Sequence, residues 1–271
     1  MSQTLHPFDQ AIALQALGEH RFQGRPDPEY ANMVGPFGGI TAATLLQAVL
    51  QHPQRQGDPV ALTVNYAGAI ADQPFEIEAR PLRTNRSTQH WQLLLLQDGE
   101  VATSASAVLA SRRATWGVTD LQPPQAPPAA EVPARPHGAG VAWTGHYDLR
   151  FVQGDLNDRH TPTEQRDGLS LLWIRDQPPR PLDFAALASI CDAFFPRIMV
   201  RRPQRVPAGS VSITTHFHAD GAGLAAQGTR HLLGRARAAH FGLGFHDQSA
   251  EVWGDDGSLL ATSHQIVYYK E

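Results

Sequence analysis

Residues 181–196 read PLDFAALASICDAFFP. Leu187, Ile190, Cys191 and Phe194 recur at helical spacing, which predicts one apolar stripe on a buried helix. Asp183 is a natural N-cap, its carboxylate placed to accept from the free amides of a first turn, and Pro196 closes the pattern. Earlier in the chain, residues 36–49 read PFGGITAATLLQAV, and Ala42, Leu45, Leu46 and Val49 form the same kind of stripe. Each helix is followed by a strand-like run, ALTVNY at 61–66 and VSITTHF at 211–217, and then by two further candidate strands. Each half next reaches an Asp-Gly turn, Asp98-Gly99 and Asp256-Gly257, and the fragment ATS follows at 102–104 and at 261–263. A helix, a strand, a strand pair, a turn and a strand occur twice. One helical stripe beside about five antiparallel strands makes an α+β unit, so the chain reads as two such units in tandem.

Between Thr119 and Gly138 lie six prolines. Proline removes backbone donors and fixes φ, so this segment reads as an extended linker. The expected domains are 1–118, a Pro-rich linker at 119–138, and 139–271. The 271 residues carry 22 Lys+Arg against 26 Asp+Glu, and 42% are hydrophobic. That composition is globular, and it suggests neither nucleic acid nor an anionic membrane as an obligatory partner. A single cysteine, Cys191, excludes an internal disulfide and fits a reducing compartment. The first ten residues lack a basic start followed by an apolar run, so no signal peptide is expected. Leu93–Leu96 is far too short to span a bilayer. A cytoplasmic protein without membrane insertion is the expectation.

The runs GPFGGITAATLLQAV, LLWIRDQPPRPLDFAALASICDAFFP and DDGSLLATSHQIVYYK resemble the type II acyl-CoA thioesterase family, over nearly the whole chain. The resemblance implies a double hotdog, two helices each wrapped by antiparallel strands with the sheets joined edge to edge. It also implies hydrolysis of acyl-CoA to free acid and coenzyme A, with no cofactor beyond the CoA of substrate and product. The family's Asp, Thr or Ser, and Gln fall here on Asp192, Ser210 and Gln265, with serine where better-known members carry threonine. The first half offers no acid on its helix and Ser106 opposite Gln265, so one site per chain is expected. Gly38 and Gly39 would then contribute shape or a backbone donor. Two hotdogs in one chain imitate the common hotdog dimer, which leaves room for a further homodimer.

Each residue also has a plainer reading. Asp192, on a face with Ala185, Ala188 and Ser189, fits a solvated helix residue or an acid paired with Arg197 as well as a water-activating base. Ser210 alternates with Ser212, Thr214 and His216, an ordinary polar strand face. Thr214 substitutes for it, as a substrate contact, if the register is off by a residue pair. A buried Gln265 needs partners in either case. Arg201 and Arg202 suit CoA phosphates or a solvated loop. Phe194, Phe195 and Trp173 are candidate acyl-lining residues, or core. His216 and His218 have a metal-compatible spacing without a completing ligand. Asp155 and His160 match hydratase spacing but sit in a polar, loop-like stretch. A non-catalytic acyl-CoA or acyl-carrier binding protein is the alternative class.

Overall fold

The computed structural model describes residues 5–136, 140–156 and 163–271. The early elements are α1 (Pro7–Ala11), β1 (Gln15–Ala16), β2 (Arg21–Gly24), α2 (Gly38–Leu50), β3 (Asp58–Tyr66), β4 (Phe75–Thr84), β5 (Thr88–Gln97) and β6 (Glu100–Ala110). After the proline-rich segment come β7 (Tyr147–Gln153), β8 (Ser170–Asp176), α3 (Phe184–Ile190), α4 (Arg197–Arg201), β9 (Ala208–Phe217) and α5 (Gly221–Gln227). The chain ends with β10 (Leu232–Arg237), β11 (Phe241–Gly242), β12 (Phe245–Trp253) and β13 (Leu259–Tyr269).

Among the described residues the strands form one sheet of 13, in the order β1-β2-β4-β5-β6-β3-β9-β13-β12-β10-β8-β7, with β11 paired to β12. From the central pair outward, the two halves repeat the same order: β3-β6-β5-β4-β2-β1 on one side and β9-β13-β12-β10-β8-β7 on the other. The seam is the antiparallel pair β3–β9, in which Thr63 faces Thr214. Joining the sheets there removes two exposed edges. The helices α2 and α3 pack together inside the wrapped sheet. This is a double hotdog.

The helix α2 is apolar on nearly all sides, as a helix enclosed by sheet must be. Leu45, Leu46 and Val49 are fully buried, each contributing about 1.5–3 kcal/mol of hydrophobic stabilisation. Thr41 and Thr44 satisfy their hydroxyls on the backbone carbonyls of Phe37 and Ile40. In α3, Asp183 Oδ1 accepts from the Ala186 amide at 2.8 Å, the N-cap read in the sequence. This helix is shorter than its apolar stripe, ending at Ile190 with Cys191 as C-cap. Pro196 disfavours helical backbone at Phe195 and so keeps the helix from resuming beyond that point. Asp192 therefore lies just past the helix, in a tightened turn where its amide donates to Ser189 O at 3.1 Å.

The proline-rich segment does more than span a gap. Ala126 packs on Leu171, Leu233 and Trp253, and Pro127 O accepts from the Trp173 indole at 2.8 Å. Trp173 thus lies against the linker, away from the main core, and its expected place as an acyl-lining residue is corrected.

Candidate active site

Asp192, Ser210 and Gln265 meet where α2 from the first half abuts the second. The Gln265 side-chain amide donates to Asp192 Oδ1 at 2.7 Å and to Ser210 Oγ at 2.5 Å. Strict alternation puts Ser210 on the face of Ser212 and Thr214; the structure does not. The β9–β13 register skips Val211, with Ser212 opposite Ile266 and Ser210 opposite Val267. This bulge turns Ser210 to the inner face, shared with buried Ile213 and Thr215. Thr214 stays on the other face, its hydroxyl bonded to that of Thr63 at 2.9 Å on the seam. Its expected role as a substrate contact is corrected.

Asp192 is buried, with 7% of its surface exposed. Burial raises its pKa to about 7, against the opposing pull of the Gln265 amide and the Gly39 N–H. The first turn of α2 has no side-chain cap of its own. Asp192, from the other half, meets its positive end. At Gly38 a side chain would sit 2.6 Å from Asp192 Oδ2 and 3.2 Å from the Tyr66 hydroxyl. At Gly39 it would sit 2.5 Å from Ser189 O on the neighbouring helix. The glycine pair thus permits close approach of two helices and leaves room beside the carboxylate. Tyr66 donates to Gly38 O at 2.8 Å, fixing the helix start.

The glutamine is held in turn. Its Oε1 accepts from Gln248 Nε2 at 2.7 Å, and Gln248 Oε1 accepts from Arg197 Nε at 2.9 Å. Arg197 is therefore near Asp192 only through two amides, not as the direct ion pair that was one sequence reading. No motif marks Gln248; only its place opposite Gln265 on β12 reveals it. Arg201 and Arg202 are engaged with Glu164 and Glu271 respectively, and neither bonds to the trio. Phe194 lies over Gly234 of β10. Phe195 stacks on Phe151. His216 is exposed, and no group of three or more His, Cys, Asp or Glu among the described residues could hold a metal ion. His160 lies outside the described residues.

The first half holds a different set at the matching places. Bulges at Val60 in β3 and Val211 in β9 align the two sheets, and they set Ala107, not Ser106, at the position of Gln265. The shared ATS fragment misleads by one residue because it starts at a bulge in β6 and after one in β13. Ser106 consequently points outward. Trp91 stands where Gln248 does, Pro59 where Ser210 does, and His52 where Asp192 does. His52 is bonded to His20 at 3.0 Å and packed on Trp91. A tryptophan fills the space that amides occupy in the second half.

Models of the acyl-CoA thioesterase N-terminal and C-terminal domains match residues 27–110 and 122–269. The chain belongs to the acyl-CoA thioesterase family. A hot-dog-fold protein of unknown function from Alicyclobacillus acidocaldarius is 49% identical to this thioesterase-family chain, with a TM-score of 0.94 over 99% of each. An acyl-CoA thioesterase II from Mycobacterium marinum shares the fold at 19% identity and a TM-score of 0.76, over 97% of this chain and 98% of that one. No curated protein matches.

Proposed function

We propose that the protein hydrolyses acyl-CoA thioesters by general-base activation of water, with Asp192 as the base. The observation that carries this is a buried carboxylate that shares one amide with a hydroxyl and faces an uncapped helix start. Asp192 Oδ1 is engaged by Gln265, while Oδ2 faces the space left by Gly38. A water on Oδ2, also within reach of Ser210, loses a proton to Asp192 as its oxygen attacks the thioester carbon. Negative charge then develops on the former carbonyl oxygen, and the N-terminal amides of α2 supply donors and a favourable dipole for it. Collapse expels the CoA thiolate, which takes the proton back from Asp192. The products are a carboxylic acid and CoA, and no covalent enzyme intermediate forms.

The raised pKa gives the sign of the pH dependence. A base must be ionised, so kcat/KM rises as pH increases through about 7 and levels off above it. The test is release of thiol from acyl-CoA esters of increasing chain length. Asp192→Asn is expected to lower kcat by about 100-fold or more while the protein stays folded. Tight binding of acyl-CoA without thiol release from the unmodified protein would mark a binding protein instead.

A further inference from the structure

We propose that Arg197 and Gln248 are positioning residues that fix which way the Gln265 side-chain amide faces. The proposal rests on the hydrolase reading above. It starts from a peculiarity of Arg197. This guanidinium is 0% exposed, and among the described residues no carboxylate lies within 4.0 Å of it. Its N–H groups go to neutral oxygens: Gln248 Oε1 at 2.9 Å, Ser170 Oγ at 2.6 Å, Gly168 O at 3.1 Å and Phe195 O. A buried cation without a carboxylate partner is costly, so its retention calls for an account beyond packing.

Guanidinium has donors and no acceptor, so the Gln248 oxygen must face it. Gln248 Nε2 then points the other way, and Gln265 Oε1 accepts from it. Only the Gln265 NH2 remains for Asp192 and Ser210. A cation at one end thus orients two amides in series.

Asp192 cannot hold that orientation alone through a catalytic cycle. While ionised it accepts from the NH2, but once it takes the proton from water it can equally donate to an amide oxygen. An untethered Gln265 would then be free to rotate, and its oxygen would face the carboxylate when the proton leaves. The Arg197 end never changes protonation near neutrality. Burial lowers its pKa only to about 9. The first half, where Trp91 lies opposite Ala107, has no such relay.

Around Asp192 the other titratable groups are Tyr66 from β3, Tyr147 from β7 and Cys191 beside it, all pushed up by burial. Asp176 at the end of β8 is a second buried carboxyl raised to about 7, so the Asp192 resonance is assigned by its loss in Asp192→Asn. His246 from β12 faces Arg197 and is pushed down by burial, so it is neutral near pH 7.

The deciding variant is Gln248→Glu. The new carboxylate pairs with Arg197 but cannot donate to Gln265 Oε1, so the Gln265 amide turns its NH2 toward it and its oxygen toward Asp192. We expect kcat to fall by about tenfold or more with KM changed by less than about twofold. Tm should be unchanged or higher, since the buried cation gains a partner. The Asp192 pKa, followed by carbon-13 NMR of its carboxyl group in the ligand-free protein, should move up with the acid limb of kcat/KM. Gln248→Met, which removes the relay without adding charge, should lower kcat and shift the same limb in the same direction. Wild-type kcat and an unshifted Asp192 titration in Gln248→Glu would overturn the proposal. So would a loss of kcat that tracks Tm alone with the pH profile unmoved. If the unmodified protein releases no thiol, the hydrolase reading fails, and the NMR titration still decides the relay.

Discussion

With its pKa raised to about 7, Asp192 ionises more readily in the unfolded chain, where the ordinary value is 3.8. Folding is thus unpenalised below the unfolded pKa, and stability is lost as pH climbs from there through the folded pKa. The difference corresponds to roughly 4 kcal/mol above neutrality, as an order of magnitude. Asp192→Asn should therefore raise Tm at about pH 8 and leave it nearly unchanged at about pH 4, measured by calorimetry. The same substitution should lower kcat by about 100-fold or more, the pattern expected where a group that costs stability is kept for chemistry. Gly38→Ala probes the space beside Oδ2. Its methyl would meet that oxygen at 2.6 Å, so kcat should drop by about tenfold or more, with the smaller effect on Tm. Asp192 and Gln265 could be named in the sequence because of the company they keep in ICDAFF and SHQIVYY. Gln248 could not, because its role depends on a cross-strand partner 17 residues away.

At the scale of elements, helix spacing and strand parity decide what faces the site. The carbonyl of Ser189 leaves no room for a side chain at Gly39. Gly39→Ala should push α2 from α3 and cost about 1–3 kcal/mol, read as a lower denaturant midpoint. The helix stripes, the Asp183 cap and the turn at Asp98-Gly99, where both residues have positive φ, follow from local rules and were legible. The faces of Ser210 and Ser106 were not. A bulge leaves no local signature in VSITTHF or VATSAS, yet one extra residue inverts every side chain beyond it. Deleting Val211 should accordingly remove the bulge yet leave Ser210 opposite Val267, two ladder steps from Ile213 and still on the inner face, so that kcat stays within about tenfold of wild type.

For the whole molecule, duplication supplies the architecture and asymmetry supplies the site. The carboxylate comes from the second half and the helix start that meets it from the first, so neither half holds the set by itself. The pseudo-equivalent place is filled by Trp91 and His52. Titration with a non-hydrolysable acyl-CoA analogue should give about one site per chain by calorimetry, where two would show a second working pocket. The repeated order of strands was readable from the repeated pattern, and so was a break between halves. That the prolines would cover Leu171, Leu233 and Trp253 was not readable, because an apolar patch on an outer face is visible only once the sheet is built.

The central claim is that water, activated by Asp192, attacks the thioester directly. A single turnover in heavy-oxygen water, with enzyme in excess over acyl-CoA, tests it by mass spectrometry of the acid released. One heavy oxygen in the product acid and none in the Asp192 carboxylate is the result expected. Product acid that carries only light oxygen, with the label found in Asp192, would mean that the carboxylate attacks as a nucleophile, and the account would be wrong.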